Sequence, residues 1–286
     1  MRNYPLIDIL LFKNQMKHFY ILFFYSFHII SQIDISTIKI PKSLNETSGL
    51  EFFENYLITH NDSGDKPKLY IINKLGKKIL EIEISQIKNK DWEDISSDEN
   101  YFYIADTGNN FATRENLRIY ILNKNFTPKG TINIRYKKQT TFSKETFNEF
   151  DAEGLAVFGE ELILFSKNRK TLNSEIYIFP KKEGNYILTP KASIDTKSLI
   201  TAADYSSKDD LMVLTGYNFD GNQFLYILKD FRKKGFENID LNKYLIPIKP
   251  AQIEAIKIID SNNFWLTSES EDKENPRLFR LKLNSN

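Results

Sequence analysis

Acidic residues recur at one place in the pattern of this chain. Glu46, Glu93, Glu153, Asp204 and Glu254 each stand at the start of an apolar stretch, roughly fifty residues apart, with Ser48 beside the first. Carboxylates brought together repel, and each raises the pKa of its neighbours unless a cation neutralises them. Oxygen donors without His or Cys suit a hard cation such as Ca²⁺ and not zinc. These six residues are the candidate metal ligands, with Ca²⁺ the candidate cofactor. The structural alternative is that they hydrogen-bond the backbone of a neighbouring element.

A second group lies in polar loops. His60-Asn61-Asp62-Ser63-Gly64-Asp65 holds a histidine beside a carboxylate, so His60 and Asp62 are the candidate general bases. Asn61, Asp62, Asp106, Asn109, Lys167 and Arg169 are the candidate ligand contacts, since Lys and Arg can grip a phosphate or carboxylate. The same residues also have plainer readings. Asp62-Ser63-Gly64 and Asp106-Thr107-Gly108 are turn formers, and Lys167 and Arg169 can serve as partners for the acidic residues around them.

The elements that must position these groups are strands. Leu80-Glu81-Ile82-Glu83-Ile84, Thr131-Ile132-Asn133-Ile134-Arg135-Tyr136 and Glu175-Ile176-Tyr177-Ile178-Phe179 alternate with period two, and no long stretch keeps a helical period. Five segments of about fifty residues share one plan of strand, tight turn, strand, polar loop, strand. The last segment lacks a fourth strand, which Ile33-Asp34-Ile35-Ser36-Thr37-Ile38-Lys39-Ile40 at the other end can supply. The pattern predicts an all-β, five-bladed β-propeller closed by its N-terminal strand, which removes a free edge. A sixth blade within 123–150 is the alternative. Trp92 and Trp265 are expected in the core, and Phe231-Arg232-Lys233-Lys234 in a solvated connector.

In such a ring the acidic strand starts and the second-to-third loops share one face. Those loops are His60–Asp65, Asp106–Asn110, Ser166–Arg169, Thr215–Asn218 and Ser268–Asp272. Turns on the opposite face, such as Glu54-Asn55 and Gly159-Glu160, are plain. The working face is therefore the one carrying His60, Asp62, Asp106, Lys167 and Arg169.

Composition sets the outer bounds. The chain has 286 residues, no Cys and three His, so disulfides, thiolate chemistry and zinc sites built on several His or Cys are excluded. Lys plus Arg number 39 and Asp plus Glu 38, so no charge excess marks it for nucleic acid. Met16-Lys17-His18 followed by an apolar run to Ile30 and then Ser31-Gln32 reads as a secretory signal, too short for a stable membrane span. Residues 1–15 read as an upstream extension, and 32–286 as a single propeller domain, monomeric and exported to the periplasm or beyond. Its expected partner is a small molecule, a glycan or a protein.

Several motifs carry a resemblance. Glu46-Thr47-Ser48-Gly49-Leu50, Thr59-His60-Asn61-Asp62-Ser63-Gly64, Asp91-Trp92-Glu93-Asp94-Ile95, Asp106-Thr107-Gly108-Asn109-Asn110, Asp151-Ala152-Glu153-Gly154-Leu155, Phe165-Ser166-Lys167-Asn168 and Ile200-Thr201-Ala202-Ala203-Asp204-Tyr205 resemble a largely uncharacterised family of secreted bacterial β-propellers. Many relatives carry a sorting domain of the type IX secretion route; this chain ends without one, which leaves the periplasm open. In layout, Ser48, Glu93, Glu153 and Glu254 are also similar to the Ser and Glu positions around the axial Ca²⁺ of calcium-dependent apyrases. The leading expectation is a secreted binding module with an axial Ca²⁺. Its rival is a Ca²⁺-dependent phosphate-ester (nucleotide) hydrolase in which Asp62 or His60 activates water, and a third reading is a scaffold.

Overall fold

A computed structural model describes residues 32–236, 238–248, 251–270 and 274–284. The signal and extension assigned to 1–31 lie outside these residues. Strand β1 (Ile33–Lys39) comes first. Blade 1 is then built from β2 (Thr47–Phe53), β3 (Tyr56–Asn61), β4 (Lys68–Ile72) and β5 (Lys78–Glu83). Blade 2 follows with β6 (Asp94–Ser97), β7 (Tyr101–Asp106), β8 (Arg118–Asn123) and β9 (Pro128–Tyr136). Blade 3 starts with β10 (Ala152–Phe158), β11 (Glu161–Ser166) and β12 (Ser174–Pro180), followed by β13 (Gly184–Leu188) and β14 (Ala192–Ile194). Blade 4 is β15 (Leu199–Ser206), β16 (Leu211–Tyr217), β17 (Gln223–Lys229) and β18 (Asn242–Leu245), and blade 5 opens with β19 (Ile253–Asp260), β20 (Asn263–Ser268) and β21 (Arg277–Leu283).

These strands form five sheets, arranged as the expected five-bladed β-propeller. β1 pairs antiparallel with β21, from Ile33 opposite Leu283 to Lys39 opposite Arg277, and supplies the outer strand of blade 5. The sixth-blade alternative fails. Within 123–150 the chain makes β9, the outer antiparallel strand of blade 2, and then a connection without strands.

One departure from the repeat was not anticipated. β13 leaves blade 3 and pairs in parallel with β9 of blade 2, so that blade 2 has five strands and β14 takes the outer place in blade 3. Among the described residues the helical content is a 3-10 turn at Lys42–Leu44 and one α-helical turn, Phe231–Lys234, whose Phe231 is buried against Phe158 and Tyr205 rather than solvated.

The alternating strands bury one stripe on each face, so the apolar side chains meet between blades. Five clusters result, one at each junction. Leu50, Leu57 and Ile72 of blade 1 meet Ala255, Trp265 and Leu278 of blade 5 across the closing junction. Trp92 lies between blades 1 and 2. Four of the innermost strands carry a bulge at the same end, with the extra residue at Gly49, Glu153, Thr201 and Glu254. A bulge re-aims the side chain of the added residue, and these bulges surround the axial channel.

Candidate functional site

The channel mouth on the second-to-third loop face is a cavity of about 180 Å³ lined by Glu46, Ser48, Asp62, Glu93, Asn110, Glu153, Lys167, Arg169, Tyr217, Gln252, Glu254 and Glu269. Six of those twelve are carboxylates and two are cations. Glu153 and Glu254 reach it because they are bulge residues. Glu93 reaches it because Gly108 leaves room: a Cβ there would lie 2.0 Å from the Glu93 Oε1.

The carboxylates form two groups. In the inner one, oxygens of Glu93, Asp151 and Glu153 lie within 4.8 Å of one another; in the outer one the same holds for Glu46, Asp62 and Glu269. Backbone hydrogen bonds assemble the outer group from separate loops. The Asp62 amide donates to the Glu46 carbonyl at 2.9 Å, the Glu269 amide to the Gln252 carbonyl at 3.1 Å, and the Ser270 amide to the Asn45 carbonyl at 2.8 Å. The convergence of charge is thus imposed by the main chain.

Two cations serve the inner group. Lys167 Nζ lies 2.6 Å from Glu153 Oε2 and 5.1 Å from the centre of the Tyr217 ring. Arg169 pairs with Asp151, donates to the Asn110 side chain and stands 3.9 Å from Glu153. Glu93 and Glu254 are each 5% exposed, and neither carboxylate has a hydrogen-bond or ion-pair partner among the described residues.

The electrostatics follow. Burial, then the Glu153 and Asp91 charges, hold the Glu93 carboxyl well above the usual range. Glu254 is raised by burial against the pull of Lys167. Glu269 is pushed up to about 8 by burial and then by Asp62 and Glu46, and Asp62 to about 7 by burial and then by Asp91 and Glu46. Burial lifts Glu153 to about 7 despite Lys167. Burial alone would lower Lys167, yet Glu153 and Glu254 more than offset it and raise its pKa.

Other residues singled out by the sequence are engaged in the framework. Asp204 is three residues beyond its bulge, where it accepts from Lys257 Nζ and the Ile258 amide at 2.9 and 2.8 Å. Lys257 also pairs with Glu51 at 2.7 Å. The bulge residue in blade 4 is Thr201, whose hydroxyl donates to the Ile253 carbonyl at 2.6 Å. Ser48 lines the mouth, but its hydroxyl donates to the Glu93 carbonyl of the next blade.

His60 is fully buried, edge-on to Trp92 with ring centres 5.5 Å apart, and burial lowers its pKa to about 4. It is not on the cavity wall, so the general-base reading of His60 is withdrawn. Asn61 spans the Ser43 carbonyl and Asp65. Asp106 accepts from Arg114 at 2.9 Å, and Asn109 is tied to Asp151 and Phe150. These three frame loops.

Sequence reasoning passed over Asn110, Tyr217, Gln252 and Glu269. A signal for two of them existed. Ser166, Gly216 and Ser268 each pair with the residue just before the bulge of their first strands, so Lys167, Tyr217 and Glu269 share the next register position. All three line the mouth.

No family model matches the chain, and no curated protein matches it. The structure is similar to the PQQ-bound form of aldose sugar dehydrogenase from Streptomyces coelicolor, with a TM-score of 0.53 and 11% identity over 88% of this chain and 98% of that one. It is also similar to a Bacteroides fragilis protein thought to be exported, with a TM-score of 0.43 and 10% identity over 89% and 96% of the two chains. Likeness at such identity is one of fold, and function does not travel with a propeller. Among the described residues no helix is long and apolar enough to cross a membrane.

Proposed function

We propose that this protein is an exported binding module whose axial mouth holds a hard divalent cation of the Ca²⁺ class. The observation that carries the reading is the pair Glu93 and Glu254, both buried, without partners, and set into a cavity that already contains four other carboxylates. Two unpaired carboxylates in a low-dielectric site are costly unless protonated or neutralised. Calcium takes six to eight oxygens in flexible geometry, which the side chains of several loops and added water can provide.

Further along the same innermost strands lies a useful contrast. There Glu51 and Asp204 share Lys257, so a cation supplied by the chain serves both carboxylates. The mouth lacks that balance. Export is supported by the apolar segment before residue 32. The phosphate-ester reading keeps only Asp62 as a base, and release of phosphate from nucleotides, abolished by chelator, would favour it.

The test is thermal unfolding of the full chain with Ca²⁺ and with chelator. A site filled to a hundred times its Kd adds about 2.7 kcal/mol. At roughly 2–4 °C per kcal/mol that raises Tm by ~5–10 °C. The expected result is such a rise, lost in Glu254→Gln/Glu269→Gln; no rise at 10 mM Ca²⁺ (a concentration of order 10⁴ times a ~1 μM sensor-type Kd) refutes the reading.

A further inference from the structure

The mouth is occupied unevenly by the chain itself. Lys167 is 5% exposed, and its root is held by a 2.9 Å hydrogen bond from its amide to the Asp151 carbonyl. From there the side chain carries its ammonium onto Glu153 and under the Tyr217 ring. Lys167 and Arg169 both face the inner carboxylates. The outer group of Glu46, Asp62 and Glu269 meets no lysine or arginine at ion-pair distance among the described residues. Glu254 lies between the halves, since both Lys167 and Glu269 act on it.

We infer that Lys167 is a tethered occupant of the inner half of the mouth, confining a divalent cation to the outer half among Glu46, Asp62 and Glu269 and weakening its hold there. This rests on the cation-binding reading and names which half the ion takes. The innermost strands use the same device further along, where Lys257 seats its ammonium between two carboxylates and 5.8 Å from the Phe52 ring. The difference is in what is left over. Lys257 faces two carboxylates, whereas Lys167 leaves Glu93 and Glu254 without partners.

The physical consequence has a definite sign. An ammonium beside a divalent ion repels it, and it also claims Glu153, which would otherwise be a ligand oxygen. Removing the ammonium must therefore tighten divalent binding. A lysine with a merely structural role predicts the reverse, because its loss would loosen the loop that frames the site.

The experiment is calorimetric titration of the full chain with Ca²⁺, comparing wild type, Lys167→Met, Lys167→Arg and Lys167→Met/Glu153→Gln. The expected result is at least tenfold tighter binding in Lys167→Met, wild-type affinity in Lys167→Arg, and loss of most of the gain once Glu153 is also neutralised. Equal or weaker binding in Lys167→Met overturns the inference while leaving the cation reading standing. Binding in Lys167→Met with none in wild type does the opposite, upholding the tethered occupant and removing the native cation. If the methionine variant does not fold, the wild-type ammonium is observed directly by nitrogen-detected NMR of lysine Nζ. Its Lys167 resonance must shift on Ca²⁺ addition, and an unmoved resonance at saturation overturns the inference.

Discussion

Neutralising Glu269 without changing its shape should stabilise the calcium-free protein, and only above the pH where an ordinary glutamate ionises. Its folded pKa is raised to about 8 from the ordinary glutamate value of 4.5. With a raised pKa the folded state binds more protons than the unfolded one between those values, so stability falls as pH climbs from about 4.5 to 8. At 1.36 kcal/mol per unit, ionisation forgone at pH 7 amounts to about 3 kcal/mol. That is a ceiling, because Asp62 and Glu46 cause part of the shift and share it.

Glu269→Gln removes the titration and keeps the side chain's volume. Thermal unfolding of the calcium-free variant and wild type should show the variant higher by several degrees at pH 7.5, at roughly 2–4 °C per kcal/mol, and the two converging at pH 4.5. The same variant should lose most of its response to Ca²⁺. A variant equally destabilised at both pH values would refute the argument, since it would make Glu269 a structural hydrogen-bond partner instead of an uncompensated charge.

Two further outcomes separate framework from site. His60→Ala should cost about 2–4 kcal/mol through the cavity left beside Trp92, with the Ca²⁺ response intact; a lost response would return His60 to the site. Because the His60 pKa is depressed to about 4, its contribution is full above 6.5 and is lost as pH falls towards 4, so wild type and variant should draw together in acid urea melts. Lys257→Met should destabilise by about 3–5 kcal/mol at neutral pH, because it strands Glu51 and Asp204 as buried charges; a loss below about 1 kcal/mol would show that water reaches them.

The ring itself was legible in the sequence because its cause is local. Alternation along Leu80-Glu81-Ile82-Glu83-Ile84 and its counterparts sets strands, the fifty-residue spacing sets blades, and the absent fourth strand after Arg277–Leu283 called for Ile33–Lys39. That the second-to-third loops share one face was legible for a related reason, since antiparallel strands return every such loop to the same end. The crossing of β13 to blade 2 was not, because nothing in Gly184–Leu188 distinguishes pairing with β9 from pairing with β12.

Which side chains converge was decided by tertiary structure. Asp204 and Glu254 look equivalent on paper, yet the blade 4 bulge falls at Thr201, and three residues of register send Asp204 to Lys257. His60 and Asp62 are two residues apart; one is sealed against Trp92 and the other opens on the mouth. Residue type and spacing determined that this chain would ring an axis with carboxylates. The bulges, the glycine that admits Glu93 and the lysine that claims Glu153 determined which of them remain free, because charge is felt through space and not along the chain.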